Sequence, residues 1–158
     1  EPIPDELFDR MVAAKNFQSG MAMVRQLEFS LFDLRIHREL GRPDEDTAAK
    51  IYKVLEQVRD QVSVIKPPAW HRFPNSFGHI FSGGYAAGYY SYKWAEVLSA
   101  DAFSRFEEEG VFNPEVGQAF LTNILEKGGS QDAMELFVAF RGREPQIDAL
   151  LRHTGIAG

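Results

Sequence analysis

The chain contains no cysteine, and that absence removes two kinds of chemistry at once. Neither a disulfide framework nor a thiolate nucleophile is available, which is compatible with a reducing cytoplasm. No apolar run approaches the length of a membrane-spanning helix, and no signal-peptide pattern is present. We therefore expect a cytoplasmic protein that has no membrane partner.

Basic residues are also scarce relative to acidic ones. The 17 Lys and Arg residues stand against 23 Asp and Glu residues, which gives a net charge of −6. A general nucleic-acid binder needs clustered Lys and Arg to neutralise phosphates. We therefore expect no nucleic-acid partner.

The histidines lack the spacing of a zinc-binding helix. Such a helix places two histidines at positions i and i+4, and no pair among the four histidines has that separation. We therefore predict that this chain binds no metal by itself.

Helical periodicity dominates what is present. The 158 residues suffice for one domain with a sizeable core, and no convincing strand alternation appears. We predict an all-α fold, a bundle of about six to seven helices with one long ordered loop that contains glycine and proline, in a single domain over residues 1–158. The first predicted helix begins at Pro4, the second runs over about 17–40, and the third runs from Asp44 or Asp46 to Lys66. The later ones occupy about 85–109, Pro114 to Gly128, the stretch from a cap within 130–132 to Gly142, and a short stretch from Pro145.

The predicted loop covers about 67–84. This stretch has no clear period and contains three prolines and three glycines. A long ordered loop in a compact domain is more often functional than idle. His79 lies in it, six residues before Tyr85, and is the histidine that best suits a functional role. A phosphate-binding turn at Gly83-Gly84 is disfavoured, because no strand precedes it and no Lys-Ser/Thr pair follows.

Four tyrosines fall within eight residues at the start of the predicted helix over 85–109. At about 100° per residue, Tyr85, Tyr89 and Tyr92 share one face of that helix. Tyrosine joins an apolar ring to a phenolic hydroxyl, so such a row suits a surface that binds something polar. The alternative is that all three are buried aromatics with satisfied hydroxyls. Both interpretations stay open at this point.

The stretch from Phe77 to Trp94, with its histidine, glycine pair and spaced tyrosines, resembles a segment in the C-terminal part of the thimet oligopeptidase family. Members of that family are zinc metallopeptidases that cut short peptides. The similarity extends over essentially the whole chain and is closest to the family's bacterial oligopeptidase A branch. Further segments that resemble the family are 13–18, 25–29, 100–106, 128–130 and 140–145.

The resemblance implies that the chain is the C-terminal part of a larger zincin-type oligopeptidase. The family's zinc site, a His-Glu-x-x-His helix and a downstream glutamate, lies upstream of the region that resembles this chain. The first residue is Glu1 rather than methionine, which leads us to expect a processed chain or an excised piece. We expect zinc in the full-length enzyme, no zinc on this chain, and no activity from the chain in isolation.

The resemblance also implies roles for individual residues. Tyr89 and Tyr92 correspond to catalytic phenols that face the scissile carbonyl, where a donor stabilises the developing oxyanion. Tyr85 and His79 correspond to residues of the substrate-binding loop, and Gly83-Gly84 to its flexible turn.

The expected partners are short peptides and the missing N-terminal catalytic part of the same polypeptide, with self-association of the isolated piece through exposed aromatic surface. Two alternatives are a stand-alone helical module that binds peptides and a purely structural helical module.

Overall fold

The computed structural model describes residues 2–157, and all regular elements within that range are helical. The predicted all-α class is confirmed. The chain divides into two compact units, of which the first ends at Lys93 and the second begins at Trp94. The assignment of the whole chain to a single domain stays a prediction. Within the described range, no helix is at once long enough and apolar enough to cross a membrane.

The first unit is built around two long helices that pack together. Phe32 and Val58, one from each helix, are fully buried at their contact. The helices of this unit are α1 (Asp5–Ala14), α2 (Ser19–Glu39), α3 (Thr47–Val62), α4 (Phe73–Ser76), α5 (Gly78–Phe81) and the first turn of α6 (Ser91–Glu109). Its buried apolar core consists of Phe32, Ile36, Val54, Leu55, Val58, Phe73, Phe77, Ile80 and Tyr89.

Local capping explains the helix ends of the second unit. Asn113 accepts a hydrogen bond from the N–H of Glu115, and Asp132 accepts from the N–H groups of Met134 and Glu135. Gly142, at φ +80°, ends the helix that Asp132 begins. Besides the rest of α6, this unit contains α7 (Pro114–Phe120), which continues as a π-helical turn (Leu121–Leu125), α8 (Ala133–Arg141) and α9 (Asp148–His153).

The helix predicted over 85–109 is wrong at its beginning. Residues 86–90 form a turn, and the α-helix begins only at Ser91. Ala87 has φ +55°, which lies in the left-handed region and cannot continue a right-handed helix. The predicted loop also needs correction, because residues 67–84 contain the two short helices α4 and α5.

Helix α1 has an apolar stripe that its own unit does not cover. It contains no buried residue. The exposed apolar side chains of α1 are Leu7, Phe8, Met11 and Val12.

Candidate functional site

The carboxylate of Asp33, on α2, binds the backbone of the turn at 86–90. Asp33 accepts hydrogen bonds from the N–H of Ala87 to Oδ1 and from the N–H of Tyr89 to Oδ2, both at 2.9 Å. The N–H of Gly88 donates to the carbonyl of Tyr85 at 2.8 Å. These bonds hold the backbone of the segment that contains three of the four tyrosines.

Four side chains from the loop, the turn and α6 meet in one aromatic cluster, which consists of His79, Tyr85, Tyr89 and Tyr92. The ring centroids of Tyr85 and Tyr92 are 5.2 Å apart and nearly parallel, and those of Tyr89 and Tyr92 are also 5.2 Å apart. The ring of His79 lies 6.0, 5.6 and 6.2 Å from those of Tyr85, Tyr89 and Tyr92. The structure therefore brings together all the predicted side chains of the site.

Tyr89 anchors this cluster in the core of the first unit. Its side chain is only 7% exposed, and its ring contacts Phe77 at a centroid distance of 5.1 Å. Its hydroxyl donates a hydrogen bond to Oε1 of Gln26 at 2.9 Å. For this residue the interpretation as a buried aromatic with a satisfied hydroxyl describes the structure.

Tyr92 is the accessible phenol of the cluster. It is 40% exposed, and a side-chain hydrogen bond joins it to the half-buried Tyr85. That hydrogen bond raises the pKa of Tyr92, and burial raises the pKa of Tyr89. Both phenols therefore keep their protons at neutral pH and can act as hydrogen-bond donors.

The glycine pair before the tyrosines has two separate structural reasons. A Cβ at Gly83 would lie 2.9 Å from the carbonyl oxygen of His79, a separation that real Cβ atoms do not adopt. Gly84 has φ +78°, a conformation that glycine adopts without steric cost. The chain then turns back, and the N–H of Tyr85 donates to the carbonyl of His79 at 3.1 Å. This return places the rings of His79 and Tyr85 beside each other.

Comparison with known proteins places this arrangement in a family. The family model described as Peptidase family M3 matches residues 1–156. The chain belongs to peptidase family M3. It is 61% identical over its whole length to oligopeptidase A of Escherichia coli (strain K12), of which it covers 23%. It is 47% identical to the organellar oligopeptidase A of Arabidopsis thaliana, with 99% of the chain and 20% of that protein covered.

A relative that is not named as an oligopeptidase is less similar in sequence. The chain is 38% identical to a dipeptidyl carboxypeptidase of Salmonella typhimurium over 99% of its own length and 23% of that protein. The M3 chain thus spans about a quarter of the length of the curated relatives it matches. The resemblance that the tyrosine segment indicated, to this family and to its bacterial oligopeptidase A branch, is confirmed.

The described part of this M3 chain does not offer a metal centre. Among residues 2–157, no three His, Asp or Glu side chains lie close enough together to hold an ion.

Sequence reasoning missed two residues that support the cluster, Asp33 and Gln26. One signal was available for Asp33, because an acidic residue interrupts the apolar positions of α2 between Phe32 and Ile36. No local signal marks Gln26, whose partner Tyr89 lies 63 residues away in the sequence.

Proposed function

We propose that this M3 chain is the substrate-binding part of a zinc-dependent oligopeptidase that hydrolyses peptide bonds in short peptides. The aromatic cluster carries the proposal, because it combines one accessible phenol, a second phenol beside it and an exposed imidazole. Membership of a peptidase family supports the choice of a peptide as the ligand.

In the proposed reaction, the phenols act as hydrogen-bond donors to the carbonyl oxygen of the scissile peptide bond. A neutral hydroxyl placed where negative charge develops stabilises the transition state more than the ground state. Tyr92 can donate from its exposed position, and Tyr89 can donate when its hydroxyl leaves Gln26. The metal, held by other residues of the full-length enzyme, would polarise the carbonyl and activate water.

We assign the binding of the peptide itself to His79, Tyr85 and the Gly83-Gly84 turn. The two rings offer a polar edge and an apolar face, which suits a peptide backbone and its side chains together. The glycine pair lies between these two residues in the sequence and allows the loop to adjust to peptides of different sequence.

The uncovered apolar surfaces support the proposal that the chain works as part of a longer polypeptide. Helix α1 exposes its apolar stripe, and the second unit has an open apolar groove of about 550 Å³ lined by Leu98, Phe103, Phe106 and Phe137, among others. Exposed apolar area of this kind marks contact surfaces. We propose that the N-terminal catalytic part of the same cytoplasmic enzyme covers it, and that the isolated chain self-associates and is inactive.

The test uses the full-length peptidase that carries this chain and a short peptide with a quenched fluorophore. We expect Tyr92→Phe and Tyr89→Phe each to lower kcat by about 10²- to 10³-fold with KM nearly unchanged, because each removes a donor that acts in the transition state. Tyr90→Phe is the matched control, since Tyr90 is 47% exposed and lies outside the cluster. Unchanged kcat in both cluster variants would overturn the assignment of the phenols.

The alternative is a stand-alone helical module, either one that binds peptides or one that has a purely structural role. The burial of Tyr89 and its bond to Gln26 favour a structural role for that one residue. Tight binding of a peptide by the isolated chain would support the module that binds peptides. Zinc-dependent cleavage by the isolated chain would contradict our proposal that it is inactive.

A further inference from the structure

Asp33 is a buried acid whose two backbone N–H partners lie in the tyrosine segment. Its side chain is 0% exposed, in the middle of α2. Carboxylates are rarely buried without charged or hydrogen-bonding partners. Its two N–H donors, on Ala87 and Tyr89, lie 54 and 56 residues away in the sequence. The imidazole Nδ1 of His37 lies 2.9 Å from Oδ1 of the same carboxylate.

The turn at 86–90 requires such an acceptor. A buried backbone N–H in a turn needs an acceptor, and Tyr89, whose N–H Asp33 binds, is only 7% exposed. Ala87 is also in the left-handed region at φ +55°, which costs a residue with a Cβ roughly 1–2 kcal/mol. Two hydrogen bonds to a carboxylate are of the strong, charge-assisted kind and offset that cost. Asp33 therefore selects a backbone conformation that the local sequence does not prefer.

This backbone conformation determines the positions of the phenols of Tyr89 and Tyr92. Asp33 binds the backbone N–H of Tyr89, and the ring of Tyr89 contacts the rings of both Tyr92 and His79. The N–H of Tyr92 in turn donates to the carbonyl of Tyr89 at 3.3 Å. A shift of the turn would move both phenols together.

We propose that Asp33 is a positioning residue of the peptidase reaction, which acts by holding the turn that aims Tyr89 and Tyr92 at the substrate. The proposal rests on the function proposed above. It concerns a residue that touches neither substrate nor metal, so its effect must pass through the phenols.

The test is a double-mutant cycle in the full-length peptidase with Asp33→Asn and Tyr92→Phe. The amide keeps the shape of the carboxylate but offers one acceptor oxygen and turns an NH₂ group toward the second N–H. We expect kcat to fall by about 10- to 100-fold, the effect of a misplacement on the order of 1 Å. In the Tyr92→Phe background the same substitution should lower kcat by a clearly smaller factor, because only one of the two phenols that Asp33 positions remains there.

Tyr90→Phe gives the matched background. There Asp33→Asn should keep its full effect on kcat, because Tyr90 is outside the cluster. A general loss of fold would lower kcat by the same factor in all backgrounds, so equal factors would overturn the proposal. Unchanged kcat in Asp33→Asn beside a loss in Tyr92→Phe would overturn this proposal alone. Unchanged kcat in both phenol variants would overturn the proposed function and this inference with it.

A second variant keeps the test decisive should Asp33→Asn fail to fold. His37 is partly exposed, and its Nδ1 lies 2.8 Å from the carbonyl oxygen and 2.9 Å from Oδ1 of Asp33. His37→Ala removes this ring without leaving a buried N–H unpaired. We expect a smaller fall in kcat, which should again be reduced in the Tyr92→Phe background. An equal fall in that background, or no fall at all, would contradict the positioning role.

Discussion

Each of the two units buries an aspartate, and the two carboxylates are stabilised in different ways. Asp33 in the first unit binds two backbone N–H groups and lies beside a histidine. Asp101 in the second unit, 1% exposed, receives both ends of the Arg143 guanidinium at 2.6 Å and Nε of Arg141 at 3.1 Å. The second arrangement neutralises charge with charge, whereas the first uses the carboxylate to hold a strained turn.

The difference indicates what each carboxylate contributes. The partners of Asp101 join α6 to the end of α8 and to the segment after it, including the N–H of Gln146 at 2.6 Å, and no part of the aromatic cluster is among them. We therefore expect Asp101 to stabilise the fold of its unit. The partners of Asp33 are the backbone of the tyrosine segment, so we expect Asp33 to influence activity more than stability.

The largest expected effect on stability belongs to Asp101→Asn. The substitution leaves two guanidinium groups without their shared carboxylate, and breaking a buried ion pair costs about 3–5 kcal/mol. Because Arg143 is 34% exposed, we expect a loss at the lower end, about 3 kcal/mol. Urea unfolding of the chain measures it, and Asp33→Asn should lose less, about 1–2 kcal/mol. The reverse order would contradict the comparison.

The stability of the chain at acid pH should depend on the same ion pairs of Asp101. Burial alone would raise the pKa of Asp101, but hydrogen bonds from Arg143, the N–H of Gln146 and Arg141 lower it from 3.8 to about 2. A depressed pKa in the folded state contributes stability that is present above pH 3.8 and is lost as the pH falls toward 2. We expect a decrease of roughly 2 kcal/mol in the free energy of unfolding over that interval.

The acid titration has an internal control. Asp101→Asn should remove this part of the pH dependence. Glu28 contributes with the same sign and should remain in the variant, because hydrogen bonds from Ser63 and Arg59 outweigh its burial and lower its pKa. An unchanged pH profile in Asp101→Asn would exclude Asp101 as the titrating group.

A smaller effect should follow from Gly83→Ala in the loop of the first unit. The added Cβ would lie 2.9 Å from the carbonyl oxygen of His79, and overpacking of this kind costs about 1–3 kcal/mol. In the full-length peptidase we expect KM to rise, because the backbone of His79 must shift to make room for the added Cβ. Gly20→Ala in α2 is the matched control, with no atom within 4 Å of the new Cβ and a gain of up to about 1 kcal/mol.

The smallest effect concerns the strained alanine of the turn. Ala87→Gly relieves the cost of φ +55°, but glycine also increases the entropy of the unfolded chain, so we expect a net change under about 1 kcal/mol. Ala86→Gly is the control, because Ala86 is not in the left-handed region and should only lose stability. Thermal unfolding of the two variants distinguishes them, and equal losses would show that Ala87 is not strained.

Sequence reasoning succeeded where structure is decided locally. The cap of α8 was predicted within residues 130–132, where Asp132 is the cap, and its end was predicted at Gly142, both from residue type alone. The predicted beginning of α6 was wrong, because the turn at 86–90 depends on hydrogen bonds to Asp33, which lies more than 50 residues away in the sequence. Tyr85, Tyr89 and Tyr92 were predicted to share one face of a helix, but only Tyr92 lies in α6, and their rings lie close together because of the turn.

The most direct measurement compares kcat of Asp33→Asn and Asp101→Asn in the full-length peptidase, with both rates divided by the folded fraction of each variant. Our account predicts that Asp33→Asn lowers the corrected kcat by about 10- to 100-fold, whereas Asp101→Asn leaves it unchanged although it loses more stability. Equal corrected rates in the two variants would contradict the claim that one buried aspartate serves the site and the other the fold.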